Sequence, residues 1–300
     1  MAPRRRWIAL GAVAATALTT ALTAAFGPGV GAQAPGWSGA IDPLTGPRSR
    51  LSHQKDWLGL RPLAPQTEIL VLAGHADSQG MAGAGTSGAA VDLGGAAPMQ
   101  RGIRDELYWN LLTARAVVAL GQSRGLRIRL YTPPLTRILD GDDPRTNWSV
   151  GKAHAAAGGY AVEIHYDAYG RDGVGSGLIP PLHRPPSRID ESLAQAFGSY
   201  PLRYREGLGA PRRGIAILEI GKLEGPLEAA LRDPDRRQAS LEAIARRVVE
   251  ALEQGLGSSP ALTPVAVGPE TPAPLPISPP PDAAGSAPAA TRRPASSGDE

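Results

Sequence analysis

The chain has 300 residues, 42% of them apolar, and carries 31 Lys+Arg against 28 Asp+Glu. Three of the positive charges are Arg4, Arg5 and Arg6, and without them the balance is 28 against 28, a neutral remainder that argues against nucleic acid or another polyanion as partner. Cysteine is absent, which excludes disulfide staples, a thiol nucleophile and thiolate metal ligands, so any metal has to be held by histidine and carboxylate.

The three arginines precede an uncharged apolar stretch from Trp7 to Phe26, then Gly27-Pro28-Gly29 and the small-x-small sequence Ala32-Gln33-Ala34. This is the pattern of a cleaved export signal. The predicted leader therefore covers 1–34, and the mature protein is expected in the periplasm or cell envelope. A membrane contact is expected only if the leader stays uncleaved, since roughly 20 apolar residues are also enough to span a bilayer. Residues 35–66, punctuated by Gly and Pro, read as an irregular lead-in.

From Glu68 to Gly74 a short apolar run reads as a strand buried on both faces, and it leads directly into His75. A Gly/Ala/Ser-rich loop follows to about Pro98. Between Arg104 and Leu120, the positions Leu107, Leu111, Ala114 and Val118 recur at helical spacing, with Glu106 in the first turn and Gly121 and Gly125 offering the stop. Leu126 to Tyr131 alternates apolar and basic residues up to Pro133-Pro134, as a half-exposed strand does. A second helix is predicted over 150–157, strands over 161–166 and 214–220, and a helix over 188–197, with a Gly-rich segment at 173–177. The final helix, 241–252, places Leu241, Ile244, Ala245, Val248, Val249 and Leu252 on one face. The segment 258–300 is dense in Pro, Ala and Ser, a composition unable to offset its ordering entropy, and it reads as a disordered tail. Strands alternating with helices predict one α/β domain over 67–257: a mixed, mostly parallel sheet with helices on both faces.

Three polar residues stand where a bland core strand has no use for them: His75 ending the first strand, His165 in the third and Glu219 inside the apolar fourth. Ligands of open α/β sheets bind beyond the carboxyl ends of the strands, so these side chains can converge. Each also has an ordinary reading, a satisfied histidine in two cases and a salt bridge from Glu219 to Lys222 in the third. The spacing matches no short local motif such as H-E-x-x-H. His53, His154 and His183 take the ordinary reading.

The segment Ile69-Leu70-Val71-Leu72-Ala73-Gly74-His75 resembles the strand and Gly-His opening of the zinc-dependent N-acetylmuramoyl-L-alanine amidases, cell-wall amidases of type 3. Arg104-Asp105-Glu106-Leu107 occupies the place of that family's ligand glutamate, Ile164-His165-Tyr166-Asp167-Ala168 resembles its Ser-Ile-His-Ala-Asn-Ala segment, and Ile217-Leu218-Glu219-Ile220-Gly221 resembles its closing strand. The resemblance covers about 67–255. It implies zinc held by His75, Glu106 and His165, with Glu219 as catalytic acid/base in hydrolysing the amide between N-acetylmuramic acid and the L-alanine of the stem peptide. Peptidoglycan would then be the partner.

Several positions depart from the family pattern. Ala76-Asp77 follows His75 in place of Gly-Gly, Asp167 replaces the asparagine, and Ala153-His154 stands for an Ala-Asn pair whose preceding arginine is missing. Asp105 competes with Glu106 for the ligand role but points about 100° away on a helix. Glu163, two residues from His165 on a strand, shares its face and is a candidate partner of that histidine. Two other functions stay open on the sequence: a non-catalytic wall-binding or regulatory domain, and a related metalloamidase or carboxypeptidase acting on another amide.

Overall fold

In the computed structural model, residues 41–204 and 207–257 are described, and they fall within one unit. The leader and the tail predicted from the sequence lie outside the described residues, as do 35–40 of the lead-in. No helix among the described residues is long and apolar enough to cross a membrane.

Five strands form one mixed sheet: β1 (Ile69–Ala73), β2 (Ile128–Tyr131), β3 (Tyr160–Asp167), β4 (Gly177–Ile179) and β5 (Ala216–Lys222), in the spatial order β2-β1-β3-β5-β4. All neighbours run parallel except β4, which is antiparallel to β5. The fold is thus α/β with a mostly parallel sheet. β1 is buried along its whole length, in keeping with the unbroken apolar run that a sheet covered on both faces requires.

The two faces carry different helices. On one, the sheet residues Val71, Val162 and Leu218 pack against α2 (Asp105–Ser123), α4 (Arg188–Phe197), α6 (Gly225–Arg232) and α7 (Pro234–Leu256). On the other, Leu70, Leu72, Ala161 and Ile217 form a smaller cluster covered by the short helices α3 (Asn147–Ala156) and α5 (Gly209–Arg212) and by loop side chains such as Tyr200. The chain leaves β1 through α2 to reach β2 and returns through α3 to β3 on the far side of β1. The strand order therefore reverses between β1 and β3, and this switch point opens a crevice at the carboxyl ends of those strands.

Helix boundaries follow local chemistry. Thr146 caps α3 by accepting from the Ser149 amide at 3.1 Å, so the helix starts three residues before its predicted beginning. Ser187 and Asp190 form a reciprocal capping box at α4. Asp233 caps α7, with Pro234 in its first turn and Gly257 left-handed at its end. That helix is longer than the predicted 241–252 because its first turns are polar and carry no apolar stripe. α2 continues past Gly121, whose missing side chain leaves room for Ile128.

Besides α5, three elements had no counterpart in the sequence reading. α1 (Ala89–Asp92) is a single turn inside the loop after His75, its amide at Ala90 held by the Glu228 carboxylate. β4 is a three-residue strand that starts at Gly177, the last residue of the glycine-rich segment, and α6 begins at Gly225-Pro226. The lead-in from residue 41 has little regular structure beyond a turn of 3₁₀ helix at Ser52–Gln54, but it is anchored. Asp42 is buried and pairs with Arg247 of α7 at 2.6 Å, and the Trp57 indole donates to the Tyr200 carbonyl at 2.8 Å.

Candidate metal centre at the switch point

His75 lies two residues past β1 and has φ 63°, a left-handed conformation that non-glycine residues seldom adopt. Its backbone is held on several sides. Asn110 donates to the Gly74 carbonyl at 3.0 Å, Asn147 to the Ala73 carbonyl at 2.7 Å, and Gln79 to the carbonyl of His75 itself at 3.0 Å. Strain of this kind persists only where surrounding contacts over-determine it, and it clusters at functional sites. Asn110 and Asn147 were not singled out in the sequence; the available signal was a polar residue on the buried side of a helix.

His165 sits on β3 directly across from Glu219 of β5 in the parallel register, so both side chains leave the sheet on the same face. The imidazole of His165 lies over Gly74, where a methyl group would approach the ring to 2.2 Å. Only glycine lets that ring reach the end of β1.

Glu106, in the first turn of α2, completes the group. One carboxylate oxygen, Oε2, accepts the Thr86 amide at 2.8 Å. The other, Oε1, is 3.1 Å from His165 Nδ1 and 3.3 Å from His75 Nε2. The two imidazoles meet edge to face, with ring centres 4.8 Å apart. Gly85 closes the site from the loop, where a side chain would press on Glu106 Oε2 and His75.

The structure thus brings His75, Glu106 and His165 together with one nitrogen or oxygen each within 4.8 Å of the others, an arrangement that could hold a metal ion. The donor set suits zinc, which takes imidazole and carboxylate ligands and in open sites keeps a position for solvent. The neighbouring Asp105 faces the other way, paired with Arg232 of α6 and accepting the Met99 amide at 2.8 Å.

Burial works against charge here and is overcome. It disfavours the Glu106 carboxylate, but the adjoining His75 and hydrogen bonds from both imidazoles hold that group well below the usual carboxylate range. Burial likewise disfavours the His165 imidazolium, yet Glu106, Glu163 and Glu219 raise its pKa well above the ordinary value.

The remaining candidates fall into place around this group. Glu163 Oε2 is 3.3 Å from His165 Nε2. Asp167 turns away and accepts the amides of Ala168, Val174 and Gly175, holding the glycine-rich turn before β4. Lys222 donates to the Gly170 carbonyl at 2.7 Å and pairs with Glu224. His154 bonds the Glu68 carbonyl at 2.9 Å at the opposite end of the sheet. His53 lies in the lead-in turn and His183 at a second left-handed position.

A cleft runs from His75 and His165 across the face covered by α3 and α5. Met81, Ile138, Leu139, Trp148, Leu208 and Ile217 form its apolar walls, with Asp77 and Glu163 among them. Asp77 accepts the Asn147 amide at 2.6 Å at the start of α3, and burial raises its pKa.

Fold and site define an α/β protein with a candidate His/Glu/His metal centre at the sheet's switch point. No family model and no curated protein matches the sequence. Among solved structures, the chain is similar to the catalytic domain of CwlV, an N-acetylmuramoyl-L-alanine amidase from Bacillus (Paenibacillus) polymyxa var. colistinus, at 16% identity over 64% of this chain and 99% of that one, with a TM-score of 0.42. It is also similar to the CwlD amidase of Clostridioides difficile, solved in complex with the GerS lipoprotein, at 16% identity over 64% and 98% of the two chains and a TM-score of 0.43. The N-acetylmuramyl-L-alanine amidase Ami1 of Mycobacterium smegmatis matches at 18% identity over 65% and 99%, with a TM-score of 0.41.

Proposed function

We propose that this protein is an exported zinc-dependent N-acetylmuramoyl-L-alanine amidase that hydrolyses the amide between N-acetylmuramic acid and the L-alanine of the stem peptide in peptidoglycan. The observation that carries this reading is the convergence of His75 Nε2, Glu106 Oε1 and His165 Nδ1 from three separate elements, with Glu219 across from His165. The motifs around all four residues, in their order along the chain, support the same reading. In this proposal the catalytic domain covers 67–257, preceded by the lead-in 35–66, with the leader over 1–34 and the tail over 258–300.

Zinc bound at the three ligands would supply Lewis acidity toward the amide carbonyl and the attacking water. The protein's own groups do the rest. Thr86 fixes one oxygen of Glu106 so that the other faces the metal position. Glu219 takes the proton of the attacking water on its carboxylate and passes it to the departing L-alanine nitrogen, without which an amine leaves poorly. The apolar walls of the cleft exclude water from the substrate next to the metal position.

Glu219→Gln tests the assignment, since it keeps size and removes the proton acceptor. Folding and zinc content should stay near wild type, while release of L-alanine amino termini from purified wall falls by about 100-fold or more. Undiminished release would remove Glu219 from the mechanism, and lost zinc would make it a ligand.

A further inference from the structure

The two ring nitrogens of His165 face two different carboxylates. Nδ1 is 3.1 Å from Glu106 Oε1, on the side where His75 Nε2 also arrives, and Nε2 is 3.3 Å from Glu163 Oε2. Glu163 and His165 are alternate residues of β3 and leave the sheet on the same face. Both are buried. The ring is laid against Gly74, where an added Cβ would meet Cε1 at 2.2 Å and Nε2 at 2.3 Å. Glu163 is neither one of the three ligands nor the acid/base Glu219, and a buried carboxylate without a task is costly to keep.

We infer that Glu163 is a positioning residue that fixes the proton of His165 on Nε2, so that Nδ1 is the atom presented to the metal. The inference rests on the metal reading above and adds to it which nitrogen binds and what holds the ring. A ligating histidine whose other N–H is donated to a carboxylate is locked in tautomer and orientation, and its basicity rises. The alternation of a β-strand supplies the carboxylate from the same strand as the ligand, so no second element has to be ordered for it. Loss of such an outer partner typically costs about 10- to 100-fold in metal affinity.

The test uses the full chain loaded with zinc and labelled with ¹⁵N-histidine. Long-range ¹H–¹⁵N correlation should show His165 carrying its proton on Nε2 and ligating through Nδ1. Zinc affinity, measured by competition with a chelator, should fall by about 10- to 100-fold in Glu163→Ala and stay within a few-fold of wild type in Glu163→Gln, whose amide oxygen can still accept from Nε2. A proton on Nδ1 with zinc on Nε2 would overturn the inference and leave the metal reading intact. Unchanged affinity in Glu163→Ala, or equal losses in both variants, would likewise overturn it. A wild-type protein that takes up no zinc would overturn the metal reading and this inference with it. Should Glu163→Ala fail to fold, the wild-type spectrum and the Gln variant still decide.

Discussion

The two faces of the sheet use similar strands for different ends. Under α2, α4, α6 and α7 the side chains form a deep, nearly continuous apolar core, and the carboxylates that enter it are held by fixed partners, Asp105 by Arg232, Asp190 by Ser187 and Tyr160, and Glu228 by the Ala90 amide. Under α3 and α5 the cover is thin, with short helices and a smaller cluster, and the space left over is the cleft that ends at His75 and His165. One face supplies the stability, and the other can keep a strained histidine and several carboxylates close together. The lesson is local: Asp105 and Glu106 are adjacent in sequence, yet one is spent on holding α6 and the other faces the histidines.

The comparison breaks most visibly in a pair of aromatic truncations. Phe197, the last residue of α4, is fully buried, so Phe197→Ala should cost about 3–5 kcal/mol of folding stability. Trp148, half-buried in the cleft wall and stacked beneath Arg213 at 4.7 Å, should cost no more than about 2 kcal/mol when truncated. Activity on wall should fall by about tenfold or more in the folded Trp148→Ala protein, and the Phe197 variant should keep near-normal turnover per folded molecule. Denaturant unfolding followed by assay below the transition separates the two. Equal stability losses with equal activities would mean that the faces are not specialised.

A smaller effect sharpens the stabilising side. Burial opposes the charge on Asp42, but Arg247 and the amides of Leu44 and Thr45 outweigh it and hold its pKa below the ordinary value of 3.8. A carboxylate depressed in the folded state adds stability that is fully present above its unfolded pKa, and this is lost as pH falls through the folded one. Asp42→Asn should therefore lower stability by about 1–2 kcal/mol at pH 6, and the gap to wild type should close progressively below about pH 4. Urea titrations at pH 6 and pH 3 measure both. A gap that stays constant would detach the lead-in contact from this ion pair.

Much of this organisation is legible in the amino-acid sequence, and the physical reasons mark where legibility stops. The apolar runs at 69–73 and 216–220 and the helical stripes of α2 and α7 follow from burial, which imposes its period on the chain. β4 escapes because three residues cannot display a period, and α6 because Gly225-Pro226 reads as a break although proline suits a helix's first turn. The residues now gathered at the centre were readable as motifs. Their support was not: no local signal reports that Asn110 and Asn147 would bind the carbonyls of Gly74 and Ala73, or that His75 is left-handed. Asp167 shows the converse, a position that reads as a departure within a site motif and serves in the fold to hold the turn at 173–175.

Zinc content after dialysis, measured by plasma emission on wild type, Glu106→Gln and Asp105→Asn side by side, tests the central claim most directly. Near-equimolar zinc is expected in the wild type and the Asp105 variant, and its loss in the Glu106 variant, because two imidazoles alone hold the ion far less firmly than three ligands. Zinc retained by Glu106→Gln but lost from Asp105→Asn would contradict the account, since the carboxylate facing Arg232 would then be the ligand and the one between the histidines would not.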